Sequence, residues 1–100
     1  MTKLKPVHPG EILREEFMIP LDLNPNRLAI ALRVAPPNVY EIVKEDRGIS
    51  SEMALRLGRF FGTTPEFWIN LQAHYDLSVS RQKEEEKINR EVQPRMAMTA

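Results

Sequence analysis

One hundred residues suffice for one domain, and 42% apolar content supports a core with a modest stability margin. The absence of cysteine excludes a disulfide framework, a thiolate metal site and a cysteine nucleophile, and no stretch is apolar for long enough to act as a leader or to cross a membrane, so the chain reads as soluble and cytoplasmic. Fourteen basic residues balance fourteen acidic ones, which excludes a surface that is basic overall; contact with nucleic acid must come from local placement or from doubling across a dimer.

Residues 1–8 read as a flexible arm, with Lys3 and Lys5 as phosphate contacts if the arm lies near DNA. A first helix is predicted over residues 9–19. Pro9 is tolerated in its first turn, Glu11 suits the positive end of the helix dipole, and Ile12, Leu13 and Phe17 form the buried stripe. Pro20 ends it, and Leu21 and Leu23 are expected to plug the core from the loop.

The second helix is predicted over residues 25–32, with Asn24 as N-cap and Pro25 at its first position. The third opens at Pro36 and Pro37 and ends near residue 44 or 45, before the turn that Gly48 permits. Ala29 is a small residue where two crossing helices need close approach. Val34, Val39 and Ile42 follow it at +5, +10 and +13, the spacing of a helix-turn-helix. Arg33 stands where glycine is usual, so the turn either strains an arginine by about 1 kcal/mol or is built differently.

The third helix would present Pro37, Asn38, Tyr40, Glu41 and Lys44 to solvent, with Arg47 just beyond. Asparagine can bond an adenine edge bidentately, which makes Asn38 and Tyr40 the base-edge candidates. Arg27, Lys44 and Arg47 are the phosphate candidates, and Glu41, Glu45 and Asp46 oppose them. The bland alternative is an ordinary exposed helix face.

A fourth helix is predicted in SSEMALRLGRFFG, capped by Ser50 or Ser51 and stopped by Gly62. Met53, Ala54, Leu57, Phe60 and Phe61 make its inner face; Arg56 and Arg59 point outward, to phosphate or simply to water. Thr64-Pro65-Glu66 opens a fifth helix expected to persist to about residue 81, with 91 as its outer bound. Phe67, Trp68, Leu71, Tyr75 and Leu77 are its candidate dimer interface, and Val79 extends the apolar pattern. RQKEEEKINR offers i,i+4 ion pairs, and the tail from Gln93 is expected to be disordered. The chain is therefore predicted to be all-α, with five helices.

No catalytic residue, cofactor or metal site is expected. His8 and His74 form no ligand pair; His8 reads as structural or solvent-facing, and His74 as surface or interface. Glu84-Glu85-Glu86 point apart on a helix, and neither a phosphate loop nor a nucleophile elbow is present.

HPGEILREEFMIPLDLN, RLAIAL, YEIVKEDRGIS and ALRLGRFFGTTPEFWINLQAHYDL together resemble the HigA-type antitoxins, also described as virulence-associated protein I-like regulators of the λ-repressor-like (Xre) class. The match covers about residues 7–80. It implies a five-helix λ-repressor-like DNA-binding domain over residues 9–80, a reader helix over about 36–45 and a charged helical extension with a disordered tail over 81–100. It also implies a homodimer that binds double-stranded operator DNA, represses its own operon and masks a cognate HigB-like mRNA-endonuclease toxin. Family members commonly carry Arg near the positions of Pro37 and Asn38, and Asn-Gly or similar in place of Glu45-Asp46. The alternatives are a stand-alone helix-turn-helix regulator and a toxin-masking module with weakened DNA binding.

Overall fold

Side-chain caps set four of the helix starts in this chain. His8, Asn24, Ser50 and Thr64 each accept a hydrogen bond from a backbone N–H of the first turn, and proline follows three of them at the first helical position. The computed structural model describes residues 5–95, and among these it shows five helices and no strand: α1 (Pro9–Ile12), α2 (Pro25–Leu32), α3 (Pro36–Val43), α4 (Ser51–Phe61) and α5 (Pro65–Glu91). The phosphate contact assigned to Lys3 and the tail beyond residue 95 lie outside the described residues.

α1 continues directly into a widened π-helical segment, Leu13–Met18. Its i→i+5 bonding includes Ile19 N–H to the Arg14 carbonyl at 3.0 Å. Leu13 and Met18, five residues apart, are both buried, whereas Ile12 is only half-buried; the predicted stripe of a regular helix is corrected accordingly.

Three helical segments end in the same device. Asp22, Arg33 and Glu45 are left-handed, with φ of 55°, 61° and 65°. Each is bracketed by the paired N–H bonds of a Schellman motif. For Arg33 these run from Arg33 to Ile30 and from Val34 to Ala29; for Glu45 they run from Glu45 to Ile42 and from Asp46 to Glu41. The Arg33 question is thus settled: the turn is the ordinary one, and the arginine adopts the strained conformation.

Leu13, Leu28, Ala29, Val39, Ile42, Ala54, Leu57 and Trp68 are at most 1% exposed and form the core. Leu23 packs against it, but Leu21 is 58% exposed and does not, because the turn around Asp22 directs it outward. Phe61 is partly buried, whereas Phe60 is 43% exposed and leaves the predicted inner face of α4. α5 reaches Glu91, the outer of the two expected ends, without a break at residue 81.

Candidate nucleic-acid interface

Burial of Val39, Ile42 and Val43 turns one side of α3 inward and leaves the other in solvent. Ala29, fully buried in α2, lets the two helices meet closely, and Val34 is half-buried after the turn. Pro37, Tyr40 and Lys44 are exposed, while Asn38 and Glu41 are partly so. The outer face predicted from spacing is the one presented.

Eight residues are too few for a helix to persist alone, so its position depends on neighbours. Arg14 donates to the Val43 carbonyl at the last turn of α3 and lies 3.6 Å from Glu45. Its hydrogen bond with Glu15 is the foremost cause of a pKa raised above the ordinary arginine value. Arg56 does the same for α2, donating to the Leu32 carbonyl at 2.8 Å while paired with Glu52. It therefore supports the motif from behind. Gln72 on α5 accepts from Ile49 N–H at 2.7 Å and anchors the loop that follows α3.

Gly10 closes this frame. A Cβ there would overlap the Ile42 carbonyl oxygen, so only glycine lets α1 lie against the end of α3. His8 is 3% exposed; its Nδ1 accepts from Gly10 N–H at 2.8 Å, and its ring meets Tyr75 edge-on at 4.7 Å. Burial lowers its pKa below 6.5, against the opposing pull of Glu45, Asp76 and Asp46.

The polar candidates are not equivalent. Arg27 and Lys44 are exposed and have no ion-pair partner among the described residues. Arg47 donates to Asn38 Oδ1 at 2.7 Å and is ion-paired with Glu41 Oε1 at 2.8 Å, so three candidates form one network. Sequence spacing contained each residue but not this closure, which depends on the chain doubling back after the Glu45 turn.

The candidate dimer residues do not share one surface. Trp68 is 0% exposed, and its indole N–H donates to Thr63 Oγ1 at 2.8 Å. Its assignment to a dimer interface is corrected: it packs at a tilt against Phe17, 4.9 Å between ring centres, inside the protomer and has no area to offer a partner. Phe67 is 37% exposed beside Phe17. Leu71 and Tyr75, four apart, line a groove of about 1040 Å³ with Lys5, Pro6, Val7 and exposed His74. Leu77 is 51% exposed and lies on a different side of α5, six residues on at roughly 100° per residue.

Among the described residues, no helix is long and apolar enough to cross a membrane and no cluster of acidic, histidine or cysteine side chains could hold a metal. No protein-family model matches the chain. Virulence-associated protein I of Dichelobacter nodosus is 47% identical over 81% of this chain and 75% of its own length. Antitoxin HigA-1 of Vibrio cholerae is 34% identical, over 86% of this chain and 81% of its own. Among solved structures, the Pseudomonas aeruginosa antitoxin HigA with higBA promoter is 49% identical, covers 90% of this chain and 98% of its own, and superposes with a TM-score of 0.88. Antitoxin GraA in complex with its operator is 46% identical, covers 94% and 95%, and gives 0.87. With its helix-turn-helix geometry and this degree of likeness, the chain belongs to the HigA family of antitoxins.

Proposed function

We propose that this chain is an operator-binding repressor that also neutralises a HigB-like mRNA-endonuclease toxin by stoichiometric masking. The observation that carries the DNA reading is the placement of α3: three aliphatics beneath it and Arg14 at its last turn fix its inner side, Gln72 anchors the loop that follows, and its polar side is open. Relatives solved with promoter or operator DNA support it. In this reading Arg27 and Lys44 meet phosphates and Pro37, Asn38, Tyr40 and Glu41 face the major groove, while Arg47, expected at a phosphate, is drawn to the groove side by Asn38 and Glu41. Two protomers set two reader helices about 34 Å apart, one turn of DNA. Phe67, Leu71, Tyr75 and Leu77 remain the candidate contacts on α5 for that pairing. Residues 9–80 form the DNA-binding domain, and residues 81–100 form an appendage.

A gel shift with the chain's own upstream region tests the DNA reading. Lys44→Ala should weaken every duplex alike and flatten the salt dependence, whereas Asn38→Ala should cost about 1–3 kcal/mol of discrimination at one base pair. Undiminished binding by both variants would show that the reading face lies elsewhere. Titration against the product of an adjacent endonuclease-like gene tests the masking role. Relatives named only as helix-turn-helix regulators favour a stand-alone regulator if that neighbour is missing.

A further inference from the structure

Arg47 lies beyond the end of α3, yet its guanidinium spans two side chains of the outer face. One N–H donates to Asn38 Oδ1 at 2.7 Å, and the other terminal nitrogen forms an ion pair with Glu41 Oε1 at 2.8 Å. Asn38 and Glu41 are three residues apart, so they are neighbours on one helical face. Arginine has no acceptor, so the Asn38 amide must turn its oxygen toward it. Adenine readout by asparagine needs that oxygen as well as the amide nitrogen. One lone pair of that oxygen is then held by Arg47, which leaves the Asn38 amide nitrogen as its uncommitted donor.

The assembled face therefore offers a row of donors, from the Asn38 amide and the remaining Arg47 N–H groups, beside the Glu41 carboxylate as its charged acceptor. In the major groove guanine presents two acceptors and its cytosine partner presents an amine donor. Arg47 also cancels the Glu41 charge that phosphates would otherwise repel. We propose that Asn38, Arg47 and Glu41 enter the groove as one preassembled unit that reads a G·C base pair, Arg47 and Asn38 on guanine and Glu41 on the cytosine amine. Assembly before contact reduces the side-chain ordering that binding would require. The inference rests on α3 being the groove helix, and it replaces adenine as the expected partner of Asn38.

The test is selection from a duplex library randomised over about two turns of DNA, one turn per half-site, followed by titration of single-pair changes. The unaltered protein should select one G·C pair per half-site, and replacing it with A·T should weaken binding about ten-fold or more. Glu41→Gln and Arg47→Lys should each lose that preference, and the double variant should lose no more than either single one. Arg47→Lys keeps the charge, so its salt dependence should stay unchanged while discrimination falls. Selection of A·T at the position Asn38 contacts would overturn the unit. So would tighter binding of all duplexes by Glu41→Gln with a steeper salt dependence, since Glu41 would then be only a counterion that competes with phosphate. No enrichment by the unaltered protein would instead sink the groove reading itself, and the unit with it.

Discussion

α3 and the outer part of α5 are both solvent-facing and helical, but they are maintained by different physics. α3 is eight residues long and is held by Val39, Ile42 and Val43 beneath it and by Arg14 at its last turn. From residue 80 to residue 91, α5 has no buried side chain and relies on local pairs such as Arg81–Glu85 at 3.5 Å and Arg90–Glu86 at 3.2 Å. The first arrangement fixes where a helix sits, which a groove-reading helix requires. The second only keeps a segment helical.

Variants can break or sharpen this contrast. Trp68→Ala should have the largest effect, a loss of about 3–5 kcal/mol in denaturant unfolding. It removes the anchor that gives the inner part of α5 the fixed position its outer part lacks. Arg14→Ala should cost about 1–3 kcal/mol. It should also weaken operator binding beyond what the stability loss explains, measured at a temperature where the variant stays folded. Glu45→Asn should stabilise by up to about 1 kcal/mol, because asparagine tolerates the left-handed backbone better.

The pH response should be smaller and confined to mildly acidic conditions. His8 has a lowered folded pKa, so the unfolded chain takes up the proton more readily. Its contribution is present above 6.5 and is lost as pH falls through the folded value. Tm measured from about pH 7.5 to about pH 5.5 should drop less in His8→Asn, which retains a neutral cap. Replacing Arg81 and Arg90 together by alanine should leave the unfolding midpoint unchanged, since exposed pairs contribute little. A clear loss there would mean that the outer part of α5 is fixed in place after all.

Much of the helix-turn-helix was legible in spacing, because Ala29, Val34, Val39 and Ile42 are local in sequence and their burial follows from period and turn length. The caps at Asn24 and Thr64 were equally local. What escaped was set by distant residues. Arg14 reaches across twenty-nine positions to Val43, and Gln72 across twenty-three to Ile49. An arginine or glutamine on an amphipathic helix gives no hint of which carbonyl or N–H it will meet. Trp68 was misassigned for a related reason: a helical aromatic stripe shows that a face is apolar, not whether Phe17 or a second protomer covers it.

The two prolines that open α3 carry a final consequence. Neither Pro36 nor Pro37 has an amide hydrogen, and Asn38 N–H turns back to the Ala35 carbonyl at 3.0 Å. The front of this helix is therefore mute toward an anion, where many helices offer a ready seat of backbone donors. Grip on the sugar-phosphate rails at this end of α3 must come from side chains, so the steepness with which added electrolyte dislodges the protein should count the lysines and arginines that reach them.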